Sequence, residues 1–176
     1  MLLAALGGIG AIFLGSEYFM AGIQVGDHAP AFSGVAHTGQ NVMLDDYKGR
    51  QTVVVYFYPK DDTPGCTTQA CSFRDAYEDF SKAGAAVIGI SSDSNDKHRE
   101  FAERRKLPFL LIADEDGSLR KAFGVPKTLG FLPGRVTYVI DRDGVVRHVF
   151  NSQLNAGKHV TEALQVVRRL NETPSS

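Results

Sequence analysis

The sequence predicts an α/β domain with a central mixed β-sheet flanked by α-helices, and three observations carry that prediction. Residues 52–58, TVVVYFY, are a continuous β-branched and aromatic run. Such a run fits a central strand buried on both faces. Two further short apolar runs, AAVIGIS at 85–91 and FLLIA at 109–113, alternate with stretches of helical periodicity, as strands joined by crossover helices do. Finally RVTYVID at 135–141 is followed by the turn Arg142-Asp143-Gly144 and by VVRHVF. That hairpin adds antiparallel pairing to the sheet.

The elements follow in chain order. Turn residues fill 26–30, and a weakly extended stretch covers 31–37. Gly39-Gln40-Asn41 reads as a turn, Val42-Met43-Leu44 as a short strand and Lys48-Gly49-Arg50 as a second turn. Pro59 stops the strand at 52–58, because proline cannot donate to a ladder. A helix is expected from Cys66 to Lys82, with Ala70, Phe73, Tyr77 and Phe80 on its apolar face. Thr63 is its expected cap, Pro64 suits its first position and Gly84 its end. The polar stretch 92–107 predicts a second helix capped by Ser92 or Asp93, with Phe101 and Leu107 inward. Asp114-Glu115-Asp116 is expected to be a solvated turn, and 117–123 a short helix. Residues 157–171 close the domain with Val160, Ala163, Leu164, Val167 and Leu170 along one helical face.

Composition excludes several function classes. The chain has 176 residues, 43% hydrophobic and 22% charged, with a net charge of −1. That suits one soluble domain with a full core. No basic stripe points to nucleic acid. The histidines His28, His37, His98, His148 and His159 show no metal-ligand spacing, so no metal is expected and surface or structural roles are. The first residues, MLLAALGGIGAIFLG, are apolar without a preceding Lys or Arg. They are short for a membrane span of ~20 residues and lack the basic flank of a signal peptide. Residues 1–22 are therefore read as an extension: either a targeting or anchoring segment, or a start upstream of a genuine one at Met20. The first reading implies a membrane-associated or exported protein and the second a cytoplasmic one, which is the expectation adopted. The domain is expected over 23–171 and a frayed tail over 172–176.

The chemistry concentrates at the only two cysteines, Cys66 and Cys71, in TPGCTTQACSFRD. Cys66 falls at the start of the expected helix. Unsatisfied backbone N–H groups there stabilise an anion, which favours the thiolate, the nucleophilic form. The alternative is a small buried hydrophobe, a common fate of free cysteine. Cys71 lies five residues on, either a packed thiol or a partner for Cys66. Helical geometry puts the two Cα atoms ~8.6 Å apart, beyond the ~7 Å limit for a disulfide. Any bridge between them requires the helix to unwind. Arg135 opens the strand at 135–141. It is either a solvated edge charge or a group that hydrogen-bonds the sulfur and an oxygen substrate.

The stretch YPKDDTPGCTTQACSFRD resembles the peroxiredoxin family, whose pattern of Pro, three residues, Thr, two residues, Cys is met by Pro59, Thr63 and Cys66. It is similar in particular to the peroxiredoxin Q, or bacterioferritin comigratory protein, subfamily. VGDHAPAF, FGVPKT, LPGRVTYVID and FNSQ extend the resemblance over about residues 23 to 171. It implies a thioredoxin-like fold and reduction of hydrogen peroxide and organic hydroperoxides, without a cofactor. Cys66 would be the peroxidatic cysteine. Thr63 and Arg135 would orient the peroxide, Pro59 would shield the thiolate, and Cys71 would be the resolving cysteine. A Cys66–Cys71 disulfide within one chain would then be reduced by thioredoxin or a similar dithiol, so a monomer is expected. Gln69 stands where many relatives carry Glu, which we read as a change in local charge. The rival readings are a disulfide oxidoreductase on the same fold, disfavoured by the cysteine spacing and Thr63, and a redox sensor that passes its oxidised state to a partner.

Overall fold

The computed structural model describes residues 22–172. The apolar extension before Gly22 and the tail beyond Glu172 lie outside the described residues, and with them the expectations placed on them. Nine strands and five α-helices appear among the described residues. β1 (Ser33–Val35) and β2 (Asn41–Met43) form a small antiparallel hairpin. A 3₁₀ turn, Leu44–Tyr47, leads into β3 (Thr52–Phe57). Then come α1 (Pro64–Asp75), α2 (Tyr77–Lys82), β4 (Ala85–Ser91), α3 (Asn95–Arg105), β5 (Leu110–Ala113) and α4 (Ser118–Ala122). A two-rung hairpin of β6 (Lys127–Thr128) and β7 (Leu132–Pro133) precedes β8 (Val136–Ile140), β9 (Val146–Asn151) and α5 (Ala156–Glu172).

The main sheet has the order β5-β4-β3-β8-β9. β3 runs parallel to β4 and antiparallel to β8, so the sheet is mixed with β3 at its centre. Every residue of β3 is buried, which is why its sequence is apolar throughout rather than alternating. The strand period of two divides those side chains between two cores. Val54 and Tyr56 face Phe73, Phe80, Phe101 and Val160. Val53, Val55 and Phe57 face Ile88, Ile112, Phe123 and Tyr138. On the first face Tyr56 stacks on Phe73 with ring centroids 4.6 Å apart, and Phe73 meets Phe80 at 5.8 Å. That packing fixes α1 against the end of β3.

Three local expectations are corrected, and one element is added. The helix expected over 66–82 is two helices, broken at Ala76 (φ −93°, ψ 1°). No glycine or proline marks the break; it lets α1 bury Phe73 and α2 bury Phe80 against one core. The cap of α3 is Ser94, whose Oγ accepts from the Lys97 N–H, and not Ser92 or Asp93. Asp93 is instead buried, its carboxylate accepting from Ser91 Oγ and the Asp61 N–H. Asp114 is 2% exposed rather than solvated, because its two oxygens accept the Leu119 and Arg120 N–H groups of α4. The β6–β7 hairpin was not expected; its strands are too short for a period to register. Among the described residues no helix is long and apolar enough to cross a membrane.

One buried histidine ties this fold to pH. Thr137 Oγ1 donates to His159 Nδ1 at 2.8 Å, and His159 Nε2 donates to the Ser152 carbonyl at 2.8 Å. The neutral ring is thus satisfied on both sides. Burial lowers its pKa from 6.5 to about 4. As pH falls the unfolded chain takes the proton first, so stability present at neutral pH is lost between pH 6.5 and about 4. At about 1.4 kcal/mol per unit the loss is about 3 kcal/mol. Denaturant melts across that range should show it for the native protein, and His159→Gln should flatten the slope. An unchanged slope in His159→Gln would assign the acid loss to other groups.

Candidate active site

The site is built where β3 ends. The Tyr58 N–H makes one more bond, to the Ile90 carbonyl at 3.1 Å, before Pro59 stops the ladder. The loop that follows is anchored by two aspartates. Asp62 adopts a positive φ of 57° and its carboxylate meets Arg104 at 2.6 Å and Arg105 at 3.7 Å. Asp61 is buried: it accepts from Tyr58 Oη at 2.6 Å and faces His98 Nδ1 at 2.6 Å. Its backbone N–H donates to Asp93 at 2.8 Å. His98 is fully buried, and its Nε2 lies 3.2 Å from the Ile112 carbonyl. Both ring nitrogens therefore face acceptors. Burial first, then the neighbouring Tyr56 and Asp61, hold the Tyr58 hydroxyl protonated well above the usual phenol range.

Thr63 occupies the N-cap of α1 with extended backbone (φ −78°, ψ 150°), and Pro64 follows at the first helical position. The residue is as expected but its hydroxyl is not a cap. It donates to the Lys60 carbonyl at 3.1 Å, and no side chain accepts from the first turn. The N–H groups of Gly65 and Cys66 are thereby left to whatever stands at the helix N-terminus. Cys66 is the third helical residue and is 1% exposed, with its thiol free.

Arg135 meets it from β8, the strand beside β3 in the sheet. It sits just before β8, is 4% exposed, and its Nη2 donates to Cys66 Sγ at 3.3 Å. The solvated-charge alternative for Arg135 is therefore excluded. Its Nη1 donates to Oε1 of the fully buried Gln69 at 2.5 Å. A carboxylate at position 69 would partly neutralise the guanidinium; the amide does not, and leaves that charge directed at the sulfur. Arg135 Nε and Gln69 Nε2 are buried without a protein acceptor. Gly65 allows the approach, since a Cβ there would stand 3.1 Å from Arg135 Nη2.

Cys71 lies farther along the intact α1, half-buried and free. Arg74 stands beside it. Its guanidinium is held charged chiefly by the hydrogen bond to Asp75, with Cys71 contributing the same way. Pro59 is half-buried at the loop entrance. Cys66 and Arg135 are thus brought into contact, Thr63 stands one turn away with its hydroxyl engaged elsewhere, and Cys71 remains apart. Sequence reasoning missed the Tyr58–Asp61–His98–Asp93 network and Arg120, whose partners are scattered along the chain. Among the described residues no group of three or more His, Cys, Asp or Glu side chains could hold a metal ion.

A buried, reduced cysteine at a helix N-terminus, hydrogen-bonded by an arginine from the neighbouring strand of this mixed sheet, defines a thiol peroxidase of thioredoxin-like fold. The comparisons with known proteins agree: the AhpC/TSA family model matches residues 25–149. The chain belongs to that family, in its peroxiredoxin Q branch. It is 52% identical over 152 residues to the chloroplastic peroxiredoxin Q of Suaeda salsa, covering 86% of this chain and 71% of that protein. With the chloroplastic peroxiredoxin Q of Sedum lineare it shares 51% over 151 residues, 85% of this chain and 81% of the relative. Among solved structures, peroxidoxin BcpB from Mycobacterium tuberculosis superimposes with a TM-score of 0.78 at 36% identity, over 84% of this chain and 98% of that one. Peroxiredoxin Q of Xanthomonas campestris gives 0.74 at 28%, over 80% and 92%. The plant relatives are named as chloroplastic, so they lend no support to the cytoplasmic expectation.

Proposed function

We propose that Cys66 is the peroxidatic cysteine and Cys71 the resolving cysteine of a thioredoxin-dependent peroxidase that acts within one chain, with residues 23–171 as the catalytic unit. The observation that carries this is the 3.3 Å hydrogen bond from Arg135 Nη2 to Cys66 Sγ at the uncapped start of α1. The substrates are hydrogen peroxide and organic hydroperoxides.

The Cys66 thiolate attacks the terminal peroxide oxygen along the O–O axis. The S–O bond forms as the O–O bond breaks, and the leaving oxygen takes a proton from solvent and departs as water or an alcohol. Arg135 and the first-turn N–H groups stabilise the charge that moves onto the leaving oxygen. Cys66 is now a sulfenic acid, oxidised by two electrons. The first turns of α1 unwind, because ~8.6 Å between Cα atoms cannot be bridged in an intact helix. Cys71 then attacks Cys66 Sγ, hydroxide leaves and becomes water, and a disulfide forms. A thioredoxin-type dithiol supplies two electrons and two protons by exchange and restores both thiols. Pro59 screens the thiolate from solvent, and Thr63 orients the entering peroxide.

Cys71→Ser tests the division of labour. It should leave the first oxidation of Cys66 at its native rate and stop thioredoxin-linked turnover, with the sulfenic acid accumulating. The readouts are a sulfenic-acid trapping reagent and steady-state turnover with thioredoxin, its reductase and NADPH. Native steady-state turnover in Cys71→Ser would remove Cys71 from the mechanism.

A further inference from the structure

Arg120 lies in α4, outside the segments that carry the cysteines and Arg135. Its side chain nevertheless reaches the point where the two halves of the site diverge. The β3–β8 ladder ends at the Phe57–Val136 pair. Beyond that pair one backbone continues through Tyr58 and Pro59 towards Cys66. The other arrives through Gly134 and Arg135. No backbone rung joins them there. Instead Arg120 Nη2 donates to the Tyr58 carbonyl and Nη1 to the Gly134 carbonyl, each at 2.9 Å.

The clamp is itself held on three sides. Arg120 Cζ stands 5.6 Å over the Phe57 ring. Its backbone N–H donates to the buried Asp114 carboxylate at 2.9 Å, which ties α4 to the end of β5. Gly134 is boxed in by the Pro126 carbonyl, which a Cβ there would strike. The two carbonyls that Arg120 joins belong to the residues immediately before Pro59 and Arg135. Burial lowers the Arg120 pKa, and the nearby Asp114, Tyr138 and Cys66 oppose that shift, so the charge is kept close to the site.

We propose that Arg120 is a positioning residue for peroxide reduction: by clamping the Tyr58 and Gly134 carbonyls it sets the approach of Arg135 to Cys66. This rests on the reading of Cys66 as the attacking thiolate. A bidentate fork is needed, because lysine offers one compact charge and cannot span two carbonyls in a fixed plane. Misplacing a catalytic group by about 1 Å can cost about 100-fold in rate.

The test uses Arg120→Lys and Arg120→Gln in the full chain. Rapid-quench oxidation of Cys66 by hydrogen peroxide is compared with its alkylation by iodoacetamide, which needs the thiolate but has no peroxide for Arg135 to align. Thermal melts verify that each variant is folded at the assay temperature. The expected result is a peroxide rate lower by about 10- to 100-fold in both variants, with alkylation changed far less. Native peroxide rates in the folded variants would overturn the proposal. So would a parallel fall in both reactions, which a merely structural role produces, or a native rate in Arg120→Lys alone, which would assign a charge effect. Should Arg120→Gln not fold, Arg120→Lys carries the test, since it can keep one of the two carbonyls. Cys66→Ser run beside them separates the failures: retained turnover there sinks the underlying reading, whereas its loss with native Arg120 variants sinks only this inference.

Discussion

Cys66→Ser is expected to reduce peroxide consumption to the uncatalysed level while leaving the protein folded. In the proposed mechanism the thiolate is the reacting species, and a serine hydroxyl stays protonated at neutral pH with no general base beside it. The group that hydrogen-bonds Sγ is a donor, Arg135 Nη2 at 3.3 Å, and the uncapped first turn of α1 offers further N–H donors. They stabilise an anion but accept no proton, so they cannot activate a hydroxyl. The structural cost is small, because the replacement has nearly the same size and can still accept from Arg135. Consumption of hydrogen peroxide with thioredoxin and its reductase gives the activity, and a thermal melt gives the fold. Native turnover in a folded Cys66→Ser protein would refute the assignment of the nucleophile.

Arg135→Met is expected to lower the rate of Cys66 oxidation by about 100- to 1,000-fold, the range for removing one preorganised donor from a developing charge. It should also destabilise the protein by about 1–3 kcal/mol, because buried Gln69 Oε1 loses its donor. Arg135→Lys should recover part of the rate. It restores a charge, but one ammonium cannot hold Gln69 and Sγ in the fork geometry. Gln69 sharpens this prediction. With an amide on Nη1 and not a carboxylate, the arginine charge acts on the sulfur without a competing anion on that side. Single-turnover oxidation at several peroxide concentrations separates binding from reaction. Equal rates in native protein and Arg135→Met would show that the hydrogen bond to Sγ has no part in the chemistry.

The sheet was legible because β3, β4, β5 and β8 are short, largely apolar runs, and burial on both faces leaves a continuous apolar signature. Closing helix α5 was legible from its period. The start of α1 was legible from Thr63 and Pro64, yet the Thr63 hydroxyl turns back to Lys60, which residue type cannot reveal. The break at Ala76 was invisible because tertiary packing of Phe73 and Phe80 sets it, with no helix breaker to announce it. Ser94 was overlooked as a cap because Asp93, the stronger-looking candidate, is drawn into the buried network around Asp61. Asp114 reads as a surface residue by type, but its oxygens meet the first turn of α4. At the site Cys66 stood out by position, whereas Arg135 needed the fold: 69 residues separate it from Cys66 in sequence. Arg120 and His98 carried no local signal, since their partners lie on other elements.

In the proposed mechanism Cys66 and Cys71 divide one reaction within one chain, through a helix that must open. Intact mass and free-thiol count of the reduced protein, before and after one equivalent of hydrogen peroxide, test it most directly. Loss of two hydrogens and of both thiols, with no covalent dimer, is the expected result. A stable gain of one oxygen with Cys71 still free would contradict it, leaving Cys66 to be reduced by an external thiol.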